Sequence, residues 1–160
     1  MAIKLTTYGT TVGLSHRFTV RLTRDRSVEA LNKEDLVLVA PLASESADLA
    51  QYKNFAAVIT DSSVLFEKFA VASIPAILVQ STEGYREGYI VTIEPGSGFI
   101  RTIFRPESPH NTIFTTDRCN SNCLMCSQPP KEVDDSHLVE ENLKMLSLIQ
   151  SPPEYMGMTG

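Results

Sequence analysis

Three cysteines, Cys119, Cys123 and Cys126, are the residues of this chain best equipped for chemistry, and they are its only cysteines. They fall within eight positions as Thr115-Thr116-Asp117-Arg118-Cys119-Asn120-Ser121-Asn122-Cys123-Leu124-Met125-Cys126, a C-x3-C-x2-C spacing. A disulfide framework calls for an even number of cysteines spread along a chain, so an odd, tight cluster reads as metal ligation or redox work. Thiolates are soft, charged donors that bind iron well. Three of them on one short loop can hold three corners of a [4Fe–4S] cube. The fourth iron is then left without a protein ligand, and an open coordination position separates a catalytic metal site from a closed structural one. The competing reading is a structural zinc knuckle completed by His110 or His137, although C-x2-C pairs dominate zinc sites. Asp117, Arg118 and Asn122 flank the ligands and are candidates to tune the metal through outer-shell hydrogen bonds, or are solvated loop residues. His16, His110 and His137 are scattered and read as surface histidines.

The elements that must position this loop follow from hydrophobic pattern. Asn111 to Thr116, with Ile113 and Phe114, reads as a short strand leading into the cysteines. After Pro129-Pro130 and the polar connection Lys131–Ser136, Leu138, Leu143, Met145, Leu146 and Ile149 give a helix with an apolar stripe, read as core. Ser151-Pro152-Pro153 stops it, and Tyr155 to Thr159 is a candidate second strand. Strand, loop, helix, strand is one βαβ unit. A two-stranded parallel unit cannot bury both its faces, so residues 109–160 are expected to be the truncated start of a second domain.

Residues 1–108 read as a separate α/β domain, with Pro106-Glu107-Ser108-Pro109 as the boundary. Ile3 to Phe18 is rich in threonine and carries no strong signal. Phe18, Val20 and Leu22 alternate as one face of a strand at Arg17–Thr23. Leu36–Ala40, Ala56–Thr60 and Ala76–Val79 are short apolar runs that fit buried strands. Asp61-Ser62-Ser63 offers helix-capping side chains, and Val64, Leu65, Phe69 and Ala72 then recur at helical spacing. Tyr89, Val91 and Ile93 alternate, Pro95-Gly96-Ser97-Gly98 turns, and Phe99, Arg101 and Ile103 begin the partner strand of a hairpin. The Gly96–Gly98 turn is not a phosphate loop, because no helix with a lysine follows it.

The net charge of −5 and pI near 5.2 argue against a nucleic-acid footprint, which would need a basic face. Hydrophobic residues at 42% and charged residues at 21% are ordinary for a globular domain. No apolar run approaches the ~20 residues of a membrane span. Met1-Ala2-Ile3-Lys4 lacks the apolar core of a secretory signal, so a cytoplasmic location is expected, with no nucleic acid and no membrane among the partners.

Cys119, Cys123 and Cys126 match in spacing the signature of the radical S-adenosylmethionine (SAM) superfamily, and the chain resembles that family. The resemblance implies [4Fe–4S] and SAM as cofactors, with SAM chelating the open iron. It also implies reductive cleavage to a 5′-deoxyadenosyl radical and hydrogen abstraction from substrate. The family fold is a full or partial (β/α) barrel with the cluster loop directly after the first strand, at the C-terminal strand ends where barrel chemistry sits. Met125 stands where the family commonly has an aromatic residue, and its backbone is the expected neighbour of the SAM adenine. Gly160, in Tyr155-Met156-Gly157-Met158-Thr159-Gly160, looks like the first glycine of the Gly-Gly-Glu-Pro-like segment that holds the SAM amino group. The SAM site is therefore expected to be incomplete in this chain, and the chain inactive alone. No catalytic acid or base can be chosen from the residues present.

More narrowly, Thr115 to Pro130, with Cys-Leu-Met-Cys-Ser-Gln-Pro-Pro, resembles the His-Xaa-Ser system radical SAM maturases. That implies a peptide substrate carrying such repeats and a reductant protein as partner. The front domain is similar to the swivelling β/β/α domain of phosphoenolpyruvate-utilising enzymes, through Ala57-Val58-Ile59-Thr60-Asp61, Ser73-Ile74-Pro75-Ala76-Ile77-Leu78-Val79 and Gly88–Ile93 with Gly98. Those enzymes carry a phosphorylated histidine at the start of the helix. Ser62–Ala72 contains no histidine, so phosphoryl transfer is not carried over, and a scaffold or substrate-presenting role is expected instead. Two non-catalytic readings stand beside the enzyme: an iron–sulfur or zinc-binding module without catalysis, and a carrier or interaction domain.

Overall fold

Leu36–Ala40 is buried at every position, which a strand tolerates only when both of its faces are covered. The computed structural model, which describes residues 5–27, 33–40, 48–119 and 131–160, shows what covers them. In chain order the elements are β1 (Thr6–Val12), β2 (Phe18–Thr23), β3 (Leu36–Ala40), β4 (Ala57–Thr60), α1 (Ser63–Val71), β5 (Ala76–Val79), β6 (Ile90–Glu94), β7 (Phe99–Phe104), β8 (Asn111–Phe114), α2 (His137–Leu148) and β9 (Met156–Thr159). The protein is mixed α/β. Strands β1 to β7 close into a barrel in the order β1-β5-β4-β3-β2-β6-β7, with β1 pairing antiparallel to both β5 and β7. The run β2-β3-β4-β5 is parallel, and β6 and β7 form the expected hairpin.

Strand alternation divides the apolar residues between the barrel interior and its outer face. Val20, Leu22, Val37, Val39, Ile59, Ile77, Tyr89, Val91 and Ile93 fill the barrel interior. Leu36, Leu38, Val58 and Ala76 point outward, under Leu65 and Phe69 of α1 and under Tyr52 of the short 3-10 turn Leu49–Tyr52. Helix α1 begins where its capping residues predict, with the Ser62 hydroxyl accepting from the Leu65 amide at 3.2 Å. Asp61 does something else: its carboxylate accepts from the Thr82 amide at 3.0 Å and the Thr82 hydroxyl at 2.7 Å, tying the end of β4 to the loop after β5. Val64, counted on the apolar spacing, is exposed.

Two elements differ from their reading in the sequence. The threonine-rich N-terminal stretch is strand β1, whose half-exposed pattern hides it from periodicity, yet it closes the barrel. Gly98 makes that closure possible: its φ is +68°, and a Cβ there would lie 2.0 Å from the Gly9 carbonyl oxygen. The helical stripe is also revised. Leu143 and Leu146 are 63% and 45% exposed, and the buried face of α2 is Leu138, Glu141, Met145 and Leu148. The segment read as the boundary, Pro106–Pro109, is a turn held by side-chain hydrogen bonds. The Asn111 side chain accepts from the Arg105 amide at 3.0 Å and donates to the Arg105 and Ser108 carbonyls at 3.0 and 3.1 Å.

Beyond that turn, β8 and β9 pair in parallel with α2 between them, in register Asn111 with Met156 through Phe114 with Thr159. Met145 and Leu148 pack on Ile90 and Phe104 of the barrel wall. Between these units Glu141 of α2 takes Arg17 at 2.5 Å on one carboxylate oxygen and Arg101 on the other, and Lys144 pairs with Asp35. Among the described residues no helix is long and apolar enough to cross a membrane.

Candidate metal centre

Pairing of β8 with β9 continues past the last strand residue: the Thr115 amide and hydroxyl both donate to the Thr159 carbonyl, at 2.7 and 3.0 Å. The chain then turns onto Asp135, just ahead of α2. One Asp135 oxygen accepts the Thr116 hydroxyl at 2.5 Å and the Asp117 amide at 2.9 Å. The Thr116 hydrogen bond, the largest influence, holds the Asp135 carboxyl below the usual aspartate range. Thr116 in turn accepts from the Arg118 amide at 3.0 Å.

Cys119 follows, exposed, with its amide donating to the Lys131 carbonyl at 3.1 Å in an isolated antiparallel bridge. The Lys131 ammonium sits 3.4 Å from the Asp117 carboxylate. The two ends of the loop that carries the cysteines are therefore drawn together at its base. Cys123, Cys126, Met125 and Asn122 lie outside the described residues. Of the expected site residues the structure thus describes Cys119 and Gly160, with Asp117 and Arg118 beside them. Asp117 is engaged by Lys131, and the described hydrogen bond of Arg118 is through its backbone.

Gly160 lies against the end of β8. A Cβ there would stand 2.7 Å from the Thr115 hydroxyl and 2.7 Å from the Thr116 methyl, so a side chain would require those threonines to shift. This is the same edge from which the chain leads to Cys119.

Helix α2 is held to the same strand by Asn142, whose amide donates to the Phe114 carbonyl at 2.8 Å. Asp134 accepts from the Ser136 amide at 3.1 Å and hydroxyl at 2.6 Å, and this turn leads into the helix. Between the barrel wall and the end of β8 lies a cavity of about 200 Å³, bordered by Arg17, Glu94, Arg101, Phe114, Asp117 and His137. His110 is held through its backbone at the Ser108 turn. Among the described residues no group of three or more His, Cys, Asp or Glu is placed to hold a metal ion. Thr116, Lys131, Asp135 and Asn142 carry no motif. Asp134-Asp135-Ser136 ahead of an apolar run was their one legible signal, as helix-start chemistry.

No family model matches the chain, and no curated protein matches it. Among solved structures it is similar to the solution NMR structure of a UPF0107 protein, at 14% identity and a TM-score of 0.42. That likeness covers 62% of this chain and 99% of the other, and falls short of showing a shared fold.

Proposed function

We propose that this chain carries the cluster loop of a radical SAM enzyme, with Cys119, Cys123 and Cys126 as the ligands of a [4Fe–4S] cluster. On this reading β8, α2 and β9 are the first βαβ unit of the family's (β/α) barrel, and the seven-stranded barrel ahead of them is a scaffold or substrate-presenting module. The observation that carries it is a C-x3-C-x2-C run that opens shortly after a strand paired in parallel with the next one through a helix.

The two described members of the site suit such a group. Cys119 is exposed, and the bridge of its backbone to Lys131 draws together the two ends of the cysteine segment. Gly160 packs against Thr115 and Thr116 at the neighbouring strand end, beside the chain that leads to Cys119. When bound, the cluster supplies one electron to SAM, and the hard step belongs to the cofactors. The chain's own part is to orient and to shield. Asp135 anchors Thr116 and Asp117 ahead of Cys119, Asn142 ties α2 to the end of β8, and Glu141 ties α2 to the barrel. The substrate proposed is a peptide of the His-Xaa-Ser type, with a reductant protein as electron donor and a cytoplasmic setting.

Anaerobic reconstitution of the chain with iron and sulfide tests the ligand set. The expected product is brown, carries iron and sulfide in [4Fe–4S] stoichiometry, and loses both when Cys119, Cys123 and Cys126 are replaced together by serine. A colourless protein that instead retains one zinc would sink the proposal in favour of a structural metal module.

A further inference from the structure

Asp134 and Asp135 are neighbours with the same side chain, yet the fold sets them to different tasks. Asp134 acts locally: one of its oxygens accepts from the Ser136 amide at 3.1 Å and the Ser136 hydroxyl at 2.6 Å, as aspartates do in turns ahead of helices. Asp135 reaches 19 and 18 residues back along the chain. A single oxygen of its carboxylate accepts from the Thr116 hydroxyl at 2.5 Å and the Asp117 amide at 2.9 Å. Its own backbone carbonyl accepts from the Leu138 amide at 2.9 Å, in the first turn of α2. The backbone of Asp135 is thus fixed at the helix start while its side chain holds the segment that leaves β8.

From there the contacts run on to the first cysteine. The Thr116 hydroxyl donates to Asp135 and accepts from the Arg118 amide at 3.0 Å. The Cys119 amide donates to the Lys131 carbonyl at 3.1 Å, and the Lys131 ammonium is 3.4 Å from the Asp117 carboxylate. Each backbone amide from Asp117 to Cys119 therefore has an acceptor in the metal-free chain. Backbone ordered in advance lowers the conformational entropy that ligation would otherwise cost.

We propose that Asp135 is a positioning residue for the metal ligand Cys119, organising the chain from Thr116 to Cys119 before any metal arrives. This role rests on the cluster reading of the cysteines. Asp135 acts through the Thr116 hydroxyl and the Asp117 amide, two and three residues ahead of the sulfur donor. Hydrogen bonds that support metal ligands are typically worth about 10–100-fold in metal affinity. The support here runs through backbone, so the lower end of that range applies.

The test compares the parent chain with Asp135→Ala, Asp135→Asn and Asp134→Ala under anaerobic, reducing conditions. Amide hydrogen exchange of the metal-free chain, read by NMR, comes first. Asp135→Ala should speed exchange at Asp117, Arg118 and Cys119. Asp135→Asn should stay close to the parent, because both donors fall on one oxygen that an amide also supplies. After reconstitution with iron and sulfide, the rate at which bathophenanthroline disulfonate strips the iron comes second. Asp135→Ala should lose iron about tenfold faster, with Asp135→Asn and Asp134→Ala near the parent rate. Should Asp135→Ala fail to fold by circular dichroism, Thr116→Val removes the same hydroxyl contact at nearly constant shape and should also speed exchange at Arg118 and iron loss.

The proposal is overturned if the exchange of these amides or the loss of iron is unchanged in Asp135→Ala. It is also overturned if Asp134→Ala sheds iron equally fast, which would assign the effect to the start of α2. A parent chain that assembles no cluster sinks the enzyme reading, and that result is separate from the exchange measurement. Faster exchange in Asp135→Ala would then still support the organised loop base, and unchanged exchange would overturn it.

Discussion

Glu141→Gln keeps the shape of the side chain that joins α2 to the barrel and removes its charge. The carboxylate is 5% exposed and receives Arg17 at 2.5 Å and Arg101 on its other oxygen, so both oxygens are committed to guanidiniums. Removing one partner of a fully buried ion pair costs about 3–5 kcal/mol, because the remaining charge is left uncompensated. Here the two arginines are 34% and 29% exposed and regain part of their hydration, which reduces that figure. One amide oxygen can still accept from one guanidinium, but the amide nitrogen meets the other donor to donor. The expected loss is therefore roughly 2–3 kcal/mol. At the few degrees per kcal/mol usual for this size, the melting temperature should fall by roughly 5–10 °C.

Urea denaturation followed by far-ultraviolet circular dichroism reads the difference directly, and hydrogen exchange at α2 shows whether the helix loosens with it. Replacing all three groups by apolar residues, Arg17→Met, Glu141→Leu and Arg101→Met together, should recover most of the loss, because no charge is then left buried. A Glu141→Gln protein within about 0.5 kcal/mol of the parent would refute the clamp as an energetic link, placing it with ordinary surface pairs.

Two further outcomes are expected. Ser73 ends α1 at φ 55°, with its amide on the Ala70 carbonyl at 3.3 Å and the Ile74 amide on the Phe69 carbonyl at 2.9 Å, a helix stop that favours glycine. Ser73→Gly should therefore raise stability by about 0.5–1 kcal/mol in urea titrations, and a loss would show that the serine side chain contributes there. Burial pushes the Tyr85 phenol up from 10 to about 12. A raised acid pKa means that the folded state holds its proton where the unfolded chain has released it. The associated stability is intact below pH 10 and is lost as pH climbs through about 12. Ultraviolet difference titration of the parent against Tyr85→Phe isolates this step from the other tyrosines. An alkaline stability profile identical in the two proteins would contradict it.

Local pattern was enough for much of this molecule. Leu36–Ala40 announces a strand covered on both faces because every residue is apolar, and the barrel core and α1 supply those covers. Ser62 marks a helix start because a hydroxyl at that position can take a first-turn amide whatever the rest of the chain does. The cysteine spacing and the order of β8, α2 and β9 are likewise properties of neighbours in the chain. Strand β1 was invisible because its side chains are mostly not buried; its place comes from backbone pairing with β5 and β7, which no periodicity records. Leu143 and Leu146 looked like core on a helical count, yet α2 turns Glu141 and Met145 inward. That rotation depends on Arg17 and Arg101, 124 and 40 residues away, and on the apolar wall at Ile90 and Phe104. Asp135 and Lys131 acquired their places at the base of the cysteine loop in the same way. Periodicity records which residues avoid water, whereas the pairing of distant charges and the closing of a barrel exist only once the chain has brought those groups together.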